Sequence, residues 1–136
     1  MKIGVVIVTH YRLGEEFLHA VRLIVPDAPV FHSVSIDPNQ SVDEMRSSIA
    51  DAMKQADHGN GVLVLTDMFG GTPSNISLSF VEGDGVEVVT GLNLPMLIKL
   101  ATLTEEKSLE ELATFIKSYG QRNISVASEI LPEKEP

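Results

Sequence analysis

The sequence predicts an α/β fold, a doubly wound and mainly parallel sheet with strand order 2-1-3-4. Short β-branched apolar runs alternate along the chain with amphipathic helical patterns, the arrangement that sets parallel strands between helical layers. The runs 3–8 and 62–65 are apolar at every side-chain position, as strands covered on both faces must be. The length of 136 residues, with 43% hydrophobic and 21% charged residues, fits one domain with a core of its own.

The elements follow in order. After the run 3–8, a helical pattern places Leu13, Phe17, Val21 and Ile24 on one face and is stopped by Pro26. Residues 30–36 read as the second strand. Ser41 and Glu44 form a capping box, in which the hydroxyl accepts from the third helical N–H while the carboxylate reaches back. The helix it opens carries Val42, Met45, Ile49 and Met53, then ends in the glycine-containing turn 57–61. Residues 62–66 form the third strand. The loop 67–73 enters a helix reaching about Val81, with Thr72 at the N-cap and Pro73 at the first helical position. Residues 86–89 form the fourth strand. Asn93 opens the next helix, and a second capping box, Ser108 with Glu111, opens the last. The short gap between those two helices leaves no room for a strand. Ile124, Val126 and Ile130 fall at even spacings and predict a short terminal strand. The folded domain is expected to span residues 1–131, with 132–136 as a disordered, proline-bounded tail.

Composition excludes several function classes. Cysteine is absent, so neither disulfides nor thiolate metal sites are available. No apolar run has transmembrane length and no signal-peptide pattern is present, which makes the cytoplasm the expected location. A formal net charge of −9 argues against nucleic-acid binding through a basic surface and is compatible with a basic protein partner. Neither HExxH nor GxxxxGK[ST] occurs, and no metal or cofactor is expected.

In open parallel sheets the site lies beyond the carboxyl ends of the strands, where the strand order reverses. Strands one and three are neighbours in the predicted order. His10 and Asp67 each follow one of them and should therefore lie close together. An imidazole beside a carboxylate has its tautomer fixed, one ring nitrogen donating to the acid and the other left as a nucleophile. The adjoining Gly70-Gly71-Thr72-Pro73 opens a helix, where unpaired N–H groups favour an anion. Together these features specify phosphoryl transfer through a phosphohistidine. Singly they also read as a structural histidine, a turn aspartate and a capped tight turn. His19 falls on a helix face, His32 in the second strand and His58 in a turn; all three read as structural.

The stretches Val6-Ile7-Val8-Thr9-His10, 61–67, Phe69-Gly70-Gly71-Thr72-Pro73-Ser74-Asn75 and 91–97 together resemble the enzyme IIA domain of the mannose family of the bacterial sugar phosphotransferase system. The resemblance implies that His10 is the phosphorylated residue and that Asp67 pairs with it. The expected phosphate-binding set is Thr9, Phe69, Gly70, Gly71 and Thr72. Phosphate would come from the phosphocarrier HPr and pass to a IIB component, here expected as a separate chain, in sugar uptake or in regulation. Membrane contact would be indirect, through a transporter complex, and the terminal strand would be exchanged in a homodimer. The chain departs from the family after His10, where Tyr11-Arg12-Leu13 replaces small residues and reshapes the edge of the site. Three other functions compete. One is a phosphocarrier subunit serving dihydroxyacetone kinase. Another is a non-catalytic anion-binding signalling module. The third is a receiver-like domain phosphorylated on Asp67, which would need acidic residues after the first strand where Thr9 and His10 stand.

Overall fold

The computed structural model describes residues 3–81, 83 and 85–132. Its sheet contains β1 (Gly4–His10), β2 (His32–Ile36), β3 (Val62–Thr66) and β4 (Val86–Thr90), all parallel, in the order β2-β1-β3-β4. The register sets Val6 beside His32 on one side and Val64 on the other; Thr66, the last residue of β3, pairs with Val8, so β1 runs two residues further, to His10. This is the predicted topology.

Helices cover both faces. On one, Val5, Ile7, Leu63, Leu65 and Val89 pack against α1 (Leu13–Ile24), α4 (Leu94–Thr102) and α5 (Leu109–Arg122). On the other, Val6, Val8, Val62 and Val64 meet α2 (Val42–Ala56) and Ile76 of α3 (Thr72–Leu78). Ile7, Leu63 and Leu65 have no exposed surface. Truncating any of them to alanine would cost about 2–5 kcal/mol through lost transfer energy and a residual cavity.

Both serine capping boxes form, and Asn93 caps α4 by accepting from the Met96 N–H. The Asn93 side chain also donates to the Gly120 carbonyl at 3.1 Å, which ties the start of α4 to the end of α5. No helix among the described residues is long and apolar enough to cross a membrane.

Four expectations are corrected. The buried stripe of α1 is Gly14, Leu18 and Val21, while Leu13 and Ile24 face outward. The cause is the close approach of α1 to the sheet: a Cβ on Gly14 would stand 2.6 Å from the Ser33 hydroxyl, so the helix is rotated to present its glycine. The second strand begins at His32 and not at Val30, which is exposed. α3 stops at Leu78, short of Val81, and its N-cap is Gly71, so that Thr72 and Pro73 are already helical. Finally, the predicted terminal strand is absent from the described sheet. Ala127–Ile130 form one helical turn, α6, and Ile124, Val126, Ile130 and Leu131 are exposed. A strand needs a neighbouring edge to satisfy its backbone, and within a single chain this segment reaches none. The expected disordered tail lies outside the described residues apart from Pro132.

Candidate functional site

β1 and β3 lie side by side, and their carboxyl ends deliver the two central groups. His10 is the last residue of β1, and Asp67 follows the last residue of β3. The carboxylate of Asp67 is held by three donors. Its Oδ2 accepts from the His10 backbone N–H at 3.0 Å and from His10 Nδ1 at 2.8 Å, and its Oδ1 accepts from the Met68 N–H at 3.1 Å. A carboxylate can only accept, so Nδ1 carries the proton and Nε2 keeps its lone pair. The imidazole is about half exposed, 48%, whereas the aspartate side chain is only 10% exposed. Nδ1 is thus anchored to a largely buried carboxylate, on a ring that is itself half exposed.

The loop between β3 and α3 closes against the ring. Gly70 has φ of 90°, a left-handed conformation that glycine adopts at no steric cost. Gly71 has an ordinary φ and is required for a different reason. A Cβ there would stand 2.6 Å from His10 Cε1 and 2.9 Å from Nε2, so the loop backbone touches the Cε1–Nε2 edge of the imidazole. Thr72 is exposed at the first position of α3, and no side chain caps that helix. The first N–H groups of α3 therefore have no side-chain cap among the described residues.

Thr9 is placed differently from the other sequence-derived site residues. It is fully buried, and its hydroxyl accepts from the Gly14 N–H at 2.8 Å, so it braces the turn between β1 and α1 beneath the surface. Phe69 is 71% exposed on the rim, beside the half-exposed Met68. The remaining histidines lie elsewhere. His19 is on α1, 3.6 Å from a Glu16 carboxylate oxygen, and His32 and His58 lie toward the amino ends of the strands with Ile3.

The sequence marks Tyr11 as a departure at the edge of the site, but not its backbone conformation. Tyr11 has φ of 48°, the one left-handed non-glycine residue among those described. Its N–H donates to the Ile36 carbonyl at 2.8 Å, which extends the β1–β2 ladder one step past His10 before the chain turns into α1. A side chain in this conformation costs roughly 1–2 kcal/mol. The signal available in the sequence was the absence of glycine from the very short connection between strand and helix.

Residues 4–117 match the family described as "PTS system fructose IIA component". The chain belongs to this EIIA family of the sugar phosphotransferase system. This EIIA chain is 28% identical over 113 residues to the sorbose-specific EIIA component of Lacticaseibacillus casei, covering 82% of this chain and 81% of that one. It is 32% identical over 93 residues to the fructose-specific EIIA component of Bacillus subtilis, covering 68% and 64% respectively. Among solved structures, the mannose/sorbose-specific IIA subunit from Enterococcus faecalis superposes with a TM-score of 0.85 at 31% identity, over 99% of this chain and all of that one. The α/β fold and the phosphotransferase-system family are thereby established for this EIIA protein.

Proposed function

We propose that the chain is a phosphoryl carrier that accepts phosphate from phospho-HPr on His10 and passes it to a separate IIB component, in sugar uptake or in regulation. The observation that carries this reading is the 2.8 Å contact between His10 Nδ1 and Asp67, which leaves Nε2 as the outward nucleophile. The Nε2 lone pair attacks the phosphorus of the donor's phosphoimidazole. The Nε2–P bond forms as the donor's N–P bond breaks, and that bonding pair stays on the departing ring, which leaves as neutral imidazole because its other nitrogen carries a proton. His10 becomes a phospho-imidazolium with its proton on Nδ1, and the adjacent carboxylate offsets the new positive charge. The backbone of Gly70 and Gly71, with Thr72, is assigned to the transferred phosphoryl oxygens. Passing the group to IIB is the same step in reverse geometry. Thr9 supports the site through the turn and its hydroxyl is not assigned to phosphate.

A location in the cytoplasm, where HPr would be met, belongs to the same proposal. So does a homodimer in which the segment after Asn123 leaves its own domain and adds to a partner's sheet. The exposed Ile124, Val126, Ile130 and Leu131 and the open edge at β4 support that exchange.

The test is phosphorylation by phosphoenolpyruvate, enzyme I and HPr. One acid-labile, base-stable phosphoryl group per chain is expected. His10→Ala should abolish labelling, while His19→Ala, His32→Ala and His58→Ala should retain it. Asp67→Ala should fold but transfer more slowly by ~10²–10⁴, the usual worth of a positioned acid–base partner. Labelling that survives in His10→Ala would overturn the assignment.

A further inference from the structure

We infer that Tyr11 is a specificity residue for the phosphoryl-donor protein, its ring serving as the anchor on which that protein seats over His10. The inference rests on the reading of His10 as the phosphoryl acceptor and adds to it the residue that recognises the donor.

The starting observation is a strained position without a structural return. Tyr11 holds a left-handed backbone that glycine would adopt more cheaply, yet its side chain is 64% exposed. Among the described residues its only hydrogen bond is made by the backbone N–H, which any residue except proline would supply equally. The ring therefore gains little packing energy, and its hydroxyl has no partner within the described chain. Side chains held in sparsely populated conformations without local compensation are found where function uses them.

Location supplies the use. Tyr11 directly follows the phosphoryl acceptor, and Met68 directly follows Asp67. With Phe69 they flank the His10–Asp67 pair as three large, exposed apolar side chains. An in-line transfer between two proteins brings the donor's phosphorus within bonding distance of Nε2, so the donor must cover this rim. A rigid aromatic with a hydroxyl at its tip is the kind of group that dominates such contacts. The left-handed backbone also fixes the direction in which the Tyr11 Cβ leaves the chain, so the ring is presented before the donor arrives.

Steady-state transfer from phospho-HPr, labelling by phosphoramidate and thermal unfolding, measured together, test the inference. Phosphoramidate is a small donor that needs no docking surface. Tyr11→Gly and Tyr11→Asn both accept a left-handed backbone and should fold with Tm equal to or above that of the native chain. Both should raise KM for phospho-HPr about tenfold or more, as loss of an aromatic anchor does. Their kcat and their labelling by phosphoramidate should stay within about twofold of wild type, while Tyr11→Phe should keep most of the native KM. An unchanged KM in Tyr11→Gly would overturn the inference and leave the role of His10 intact. Equal losses with phosphoramidate and phospho-HPr would place Tyr11 in the chemistry of His10 and also overturn it. So would a Tm lowered by more than about 5 °C, because the ring would then be holding the fold. If the wild-type chain takes phosphate from phosphoramidate and not from HPr, the donor is wrong and the inference falls. If it takes phosphate from neither, the carrier reading itself fails.

Discussion

At the scale of single residues, the site depends on one close approach. Gly71 lies so near the His10 ring that a methyl group there would meet Cε1 at 2.6 Å and Nε2 at 2.9 Å. Gly71→Ala must therefore push the imidazole aside or displace the loop, and either movement disturbs the contact with Asp67. Overpacking of this kind costs about 1–3 kcal/mol, so the variant should remain folded while phosphoryl transfer falls steeply. Transfer kinetics together with the ring resonances of His10 check this, and a wild-type rate with an unshifted ring would contradict it. The closeness of His10 and Asp67 was legible in the sequence because each follows an apolar strand and the topology rules make those strands neighbours. The burial of Thr9 and the backbone of Tyr11 were not. Thr9 precedes the histidine, but alternation along β1 turns its side chain into the layer beneath α1. Nothing in a tyrosine signals a left-handed backbone; the short connection imposes it.

At the scale of elements, starts were easier to read than ends or faces. Ser41 and Ser108 with their glutamates marked two helix starts correctly, because a capping box is local chemistry independent of the rest of the fold. The bonds of the second box also leave an electrostatic trace. The backbone and then the hydroxyl of Ser108, with a smaller effect from Lys107, hold the Glu111 carboxyl below its ordinary range against a slight opposing effect of burial. The sign follows from a folded-state value below the unfolded one. This cap supports the fold above the ordinary glutamate range and loses that support as pH falls through the lowered value. Faces depend on neighbours, and periodicity alone put Leu13 and Ile24 inward on α1. The glycine at position 14 packs closest to the sheet and turns both outward. The end of α3 and the fate of residues 124–130 are likewise tertiary matters. An alternating apolar pattern predicts a strand only where another strand offers it an edge.

At the scale of the whole molecule, the four-stranded sheet, its order and its parallel sense all followed from alternating apolar runs and right-handed crossovers. The association state did not, because it depends on surfaces a single chain leaves unsatisfied. Four large apolar side chains after Asn123 stand exposed, while β4 ends the sheet with its outer edge unpaired among the described residues. Exchange of this segment between two chains satisfies both, and closed two-fold pairing is the commonest oligomer symmetry. Light scattering should find a dimer for the full chain at micromolar concentration and a monomer or aggregate for a chain truncated after Asn123. A monodisperse full-length monomer would rule the exchange out and leave the chemistry at His10 untouched.

The account as a whole turns on which nitrogen bears the phosphate. Asp67 occupies the proton on Nδ1, so the proposed transfer takes place at Nε2, on the edge that faces Gly71. Nitrogen-15 and phosphorus-31 NMR of the protein phosphorylated through HPr measures this directly. The account predicts a single phosphoryl group coupled to Nε2 of His10, with Nδ1 still protonated toward Asp67. Phosphate on Nδ1, or on any residue other than His10, would contradict it.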